Sequence, residues 1–140
     1  MKIVLVTTLG NKIIPSGIVS AVLTQTAEVA CDSLSIKIIG GKSLDEIERV
    51  YVYKNNKLIF NGYCDCQRTT ADERGFETYI YARSSACLLV DNDAFAYTYN
   101  RPSAQSLFDA YAKPFGFSYK LDDICTFKKY EVSSGSSLYG

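Results

Sequence analysis

The chain has 140 residues, 47% of them hydrophobic, with 15 basic residues balanced by 15 acidic ones and no histidine. That length and apolar content support a core and exclude disorder as the default state. A neutral chain carries no electrostatic footprint for nucleic acid or an anionic membrane surface, and the absent histidines remove the commonest general base and metal ligand together.

Eleven Tyr and seven Phe, set among many Val, Ile and Thr, favour strands. No apolar run reaches the roughly 20 residues that span a bilayer, so no membrane insertion is expected. Met1 to Val6 is too short for a signal-peptide core. The expectation is a chain made in the bacterial cytoplasm and kept there until another event releases it. The five cysteines, Cys31, Cys64, Cys66, Cys87 and Cys125, are an odd set without a secretion signal, which predicts reduced thiols.

In chain order, KIVLVTT (2–8) reads as a buried first strand and Leu9 to Lys12 as a turn, with a break at Pro15-Ser16-Gly17. Two strands follow near 18–26 and 33–39, the second with Leu34, Ile36 and Ile38 on one face. Lys42 to Glu48 reads as a turn or a single helical turn, with Ser43 and Glu46 at capping-box spacing. Val50 and Val52 alternate with Tyr51 and Tyr53. Asn55-Asn56 then turns the chain into Leu58 and Phe60, a hairpin signature. The second strand runs on to Thr70 with Gly62 as a bulge, and Ala71 to Gly75 returns it into a strand at 76–82.

Ser84 or Ser85 should cap a short turn that sends Leu88, Leu89 and Val90 into the core. Phe95 to Asn100 is extended. Ser103 caps a helix, with Leu107 and Tyr111 on one face, that stops before Pro114. Phe117 to Tyr119 and Thr126 to Val132 read as late strands. Ser133 to Ser137 looks like a linker, and Leu138-Tyr139 looks like the start of an element that continues in a longer protein.

Little in this pattern carries chemistry. A serine nucleophile at Ser84 or Ser85 lacks a histidine, an S-x-x-K lysine and flanking glycines. Cys64-Asp65-Cys66 is an isolated CxC pair where a tetrahedral site wants two, so its cysteines read as small buried hydrophobes. Asp91 and Asp93 lack the further ligands of a calcium loop, and Asp72-Glu73 and Asp122-Asp123 read as turn acids. No catalytic, cofactor or metal residue is assigned. Tyr51, Tyr53, Tyr79 and Tyr81 sit beside charged residues on alternating strands, a composition that suits a protein–protein interface.

Four stretches in order complete the reading: "CDSLSIKI" (31–38), "VYVYKNNKLIFNGYCD" (50–65), "YIYARSSACLLVDNDA" (79–94) and "RPSAQSLFDAYAKPFGF" (101–117). Over about residues 18–120 this order resembles the N-terminal part of phage tail baseplate hub proteins, the late control protein D and Mu-type hub family, as found in Gram-positive prophages. Phe60, Gly62 and Asp65 match the first part of the family pattern. Arg83, Ser84, Leu89 and Asp91 match the second, and Pro114, Phe115 and Gly116 the third. Ala82 departs from the usual glycine before the arginine.

The resemblance implies a mainly β, tail-tube-like barrel with one or two short α-helices, α+β overall. It divides into a hub-like barrel domain over 1–100 and a helix plus the start of a following domain over 101–140. The implied role is structural and non-enzymatic: a virion component of a contractile tail baseplate hub that joins tail tube to central spike proteins as a homotrimeric ring. The alternative is a carbohydrate-binding barrel for host attachment that uses its tyrosines.

Overall fold

Alternation decides the first half of the molecule. Along SLSIKI the side chains of Leu34, Ile36 and Ile38 are buried while Ser33, Ser35 and Lys37 stay half-exposed, the period of two that makes a one-sided strand. The computed structural model describes residues 1–118, 120, 126–133 and 137. Its strands are β1 (Lys2–Thr7), β2 (Lys12–Ile13), β3 (Ile18–Thr24), β4 (Ser33–Gly40), β5 (Ile47–Lys54), β6 (Lys57–Asp72), β7 (Gly75–Ser84), β8 (Tyr97–Asn100) and β9 (Lys129–Val132). The helices are α1 (Cys87–Asp91) and α2 (Ala104–Tyr111), with a 3-10 turn at Lys113–Phe115. The fold is mainly β with two short helices, as the sequence predicts.

The chain packs as two compact units, Met1–Ala86 and Cys87–Gly140. That division falls earlier than the 100/101 boundary read from the sequence.

In the first unit seven strands form one antiparallel sheet in the order β2-β1-β5-β6-β7-β4-β3. Its edge strands, β2 and β3, are consecutive in sequence. A flat sheet of this order would hold them about 29 Å apart at ~4.8 Å per strand spacing. The chain from Ile13 to Ile18 can reach only about 18 Å. The sheet must therefore curl so that its two edges approach each other, with residues 12–24 leaving β1 and joining β4. Inside this barrel Ile3, Leu5, Leu34, Ile36, Ile38, Ile47, Val50, Val52, Phe60, Ile80 and Ala82 form one buried cluster, with Ile13, Ala21 and Leu23 packed against it.

Turn chemistry supports the register. Asn55 and Asn56 both take positive φ, 50° and 60°, as a two-residue hairpin turn requires, and join β5 to β6. At the next hairpin Asp72 accepts a 2.8 Å hydrogen bond from the Arg74 amide. Where β6 pairs with its two neighbours the register shifts at Val52/Tyr53 and at Cys64/Cys66, where Asp65 is the extra residue, so the Gly62 bulge of the sequence reading is corrected. No helical turn forms between Gly41 and Glu46. Instead the Gln67 side chain accepts from the Ile47 amide at 2.8 Å and donates to the Asp45 carbonyl at 3.0 Å, and so continues the β5–β6 ladder where the backbone leaves it.

In the second unit β8 and β9 pair as a two-stranded ribbon. Ser103 caps α2: its hydroxyl accepts from the Ser106 amide, and the Ser106 hydroxyl accepts from the Ser103 amide. The late strand begins at Lys129, not Thr126, which makes a single bridge to Ser103. Phe117 and Ser118 are not in a strand. Tyr119, Asp122-Asp123, Cys125, residues 134–136 and Leu138-Tyr139 lie outside the described residues.

Candidate functional site

Five of the residues matched to the family pattern converge on β6 and β7. Phe60 is buried in the barrel core. Gly62 lies opposite Ser84, and a side chain there has no room: an added Cβ would overlap the Arg83 carbonyl oxygen and stand 2.6 Å from Phe60 Cζ. Glycine here permits a close backbone approach. The bulge at Cys64/Cys66 turns Asp65 toward Arg83. The Arg83 guanidinium donates through Nε to Asp65 Oδ2 and through Nη2 to Oδ1 at 3.4 Å, a two-pronged ion pair.

Ser84 and Ser85 belong to this knot and not to the helix. Ser84 Oγ accepts from the Asp32 amide at 3.1 Å while its own amide donates to the Asp32 carbonyl at 2.8 Å. Ser85 Oγ donates to the Asn61 carbonyl at 3.2 Å. The cap expected for α1 is thus corrected, because both hydroxyls are spent on sheet neighbours. Leu88, Leu89 and Val90 are half-exposed, and the buried residue of α1 is Cys87.

The remaining pattern residues lie in the second unit. Leu89 and Asp91 are on α1, and Pro114 and Phe115 are in the 3-10 turn. Gly116 ends that turn at φ 83°, a left-handed conformation glycine adopts without strain. Leu89 also lines a cavity of about 510 Å³ with Ala104, Leu107, Phe108, Tyr111 and Tyr130. Beside it Tyr99 donates to the Tyr111 hydroxyl at 3.0 Å, and Tyr97 and Tyr99 pack edge to face. Burial is the first cause that pushes the Tyr111 phenol up to about 12.

The outer face of the barrel carries the tyrosines singled out from sequence, together with an arginine that sequence reasoning missed. Arg49 lies over the rings of Tyr63 and Tyr51, 4.7 and 5.4 Å from their centroids, and its Nη2 donates to Asn61 Oδ1 at 2.8 Å. The signal for it was present: Arg49 shares the parity of Tyr51 and Tyr53. Tyr79 reaches Ser35 at 3.3 Å, beside the Lys37–Glu77 ion pair.

Among the described residues no three His, Cys, Asp or Glu side chains are grouped to hold a metal ion. Cys64 packs against the core and burial is the main cause that pushes its thiol up, whereas Cys66 is exposed, so the buried-hydrophobe reading fits only one of the pair. Among the described residues no helix is long and apolar enough to cross a membrane.

No family model and no curated protein matches the chain. Solved structures do. The 43 kDa tail protein of prophage MuSo2 from Shewanella oneidensis superposes with a TM-score of 0.75 at 17% identity, over 99% of this chain and 46% of that one. The tail protein from Neisseria meningitidis MC58 superposes with a TM-score of 0.71 at 16% identity, over 97% of this chain and 42% of that one. The chain therefore has the fold found in solved phage tail proteins and spans less than half the length of each.

Proposed function

We propose that the chain is a structural, non-enzymatic component of a phage or prophage-derived contractile tail, and within it part of the baseplate hub that links tail tube to central spike. The observation that carries this reading is the fold likeness to two tail proteins over nearly the whole chain, 99% and 97% of its length. The order of the hub-like motifs from Phe60 to Gly116 supports the finer assignment to the late control protein D type, from a Gram-positive prophage. Residues 1–100 then act as the hub-like barrel domain and 101–140 as the helix and the beginning of the next domain. The full-length protein assembles as a trimeric ring against tube and spike proteins in the virion. Its synthesis takes place in the bacterial cytoplasm. The signature residues serve structure: Asp65 and Arg83 fix the β6 bulge to β7, and Gly62 lets the strands close.

Mass spectrometry and electron microscopy of purified particles from the producing strain test this reading. The expected result is the protein at baseplate stoichiometry, with ring-shaped particles formed by the full-length chain. Its absence from particles, combined with saturable glycan binding by a monomer, would overturn the reading in favour of a host-attachment module.

A further inference from the structure

Two arginines stand in one row across the outer face of the barrel, and among the described residues only one of them is paired with a carboxylate. Val6, Arg49, Tyr63, Arg83, Ser33 and Thr24 are successive cross-strand partners on β1, β5, β6, β7, β4 and β3. Arg83 is closed by Asp65. Arg49, on the other side of Tyr63, makes no ion pair with any described residue. Its Nη2 donates to the neutral Asn61 amide, and its Nε is buried with no hydrogen-bond partner.

This is an unusual way to hold a charge. A solvated arginine would keep its guanidinium in water, and a structural one would be paired as Arg83 is. Contact with two tyrosine rings attracts the cation but leaves its charge uncancelled. What the rings and Asn61 do provide is order. The guanidinium is held over the two rings and by Asn61, so an incoming carboxylate meets a fork that has already lost part of its freedom. Tyrosine and arginine around a half-buried centre are also the composition of interface anchors.

The shape of the surface distinguishes a macromolecule from a small acid. Small ligands take concave sites. Two cavities of this unit are lined elsewhere, one by residues that include Leu44, Cys64 and Gln67 and the other by residues that include Ile13, Gly17 and Ile38. We propose that this row is a protein-docking surface anchored by Arg49, and that the partner presents an aspartate or glutamate side chain to its guanidinium. Tyr51 and Tyr63 flank the contact, and Asp65 keeps Arg83 out of competition for the same carboxylate.

The test places photoreactive p-benzoylphenylalanine at Tyr53, on the same face of β5, in cells that make the whole protein with its natural partners. The expected product is a cross-link to a peptide that contains Asp or Glu. Arg49→Glu should lower its yield at least about tenfold, which corresponds to ~1.4 kcal/mol. Changing the partner's acidic residue to arginine should restore it. Arg49→Lys, which keeps the charge but not the planar fork, should fall in between. Circular dichroism checks that each variant folds, with Arg49→Gln in place of Arg49→Glu if that one does not. Any one of four results overturns the proposal: no cross-link at Tyr53 or at Tyr51, a yield unchanged by loss of Arg49, a cross-link between two copies in the purified protein alone, or saturable binding of glucuronate that needs Arg49.

Discussion

The two units keep their shape by different means. In the barrel, Leu5, Leu34, Ile36, Val50, Val52 and Ile80 have no exposure at all, and every strand but the short β2 is paired along most of its length. In Cys87–Gly140 the helix α2 has no fully buried residue, and order rests on a ribbon, a capping box and tyrosine edges. A residue in the first unit is fixed by what surrounds it, and one in the second mainly by its immediate neighbours.

The sharpest test of that contrast is a core deletion. Ile80→Ala should destabilise the barrel by about 2–5 kcal/mol, whereas Leu107→Ala, half-exposed on α2, should cost about 1 kcal/mol. Hydrogen exchange read separately at β7 and α2 amides reports each unit, and equal losses would dissolve the distinction. Next in size is Gly62→Ala, expected to cost about 1–3 kcal/mol through overlap with Arg83 and Phe60. Gly41→Ala, which meets nothing within 4 Å, is its control and should fall within about 0.5 kcal/mol in a urea titration.

In the second unit Ser103→Ala should cost about 1 kcal/mol, seen as faster exchange of the Ser106 and Leu107 amides with none in the barrel. The smallest effect is one of alkalinity. Because the folded Tyr111 phenol is pushed up to about 12, folding favours its neutral form. That contribution is complete below the ordinary tyrosine value of about 10 and fades as the pH rises toward about 12. Ultraviolet titration of phenolate, with Tyr111→Phe as the reference, should show Tyr111 ionising late.

The same contrast explains what could be read from sequence. Alternation at Leu34, Ile36 and Ile38 and at Val50 and Val52 announced strands because those residues have one buried face. Asn55-Asn56 and Ser103 announced themselves because their chemistry is local. The strand β2 was hidden, since it is two residues long and shows no period. The bulge at Asp65 was hidden because the cysteines beside it suit either face. Ser84 and Ser85 looked like caps because their true partners, Asp32 and Asn61, are distant in sequence. Arg49 looked like one more solvated charge until its neighbours across the sheet were known.

The strand order also sets a schedule for synthesis. β1 waits for β5, and β4 waits for β7, so the first forty residues have only β2 for β1 and β3 for β4 while they emerge. A nascent chain that has not yet produced Gly75–Ser84 carries Leu34, Ile36 and Ile38 without a neighbour on their far side. At ~5–20 residues per second, that interval lasts seconds. It is the period in which the chain most needs protection from its own kind.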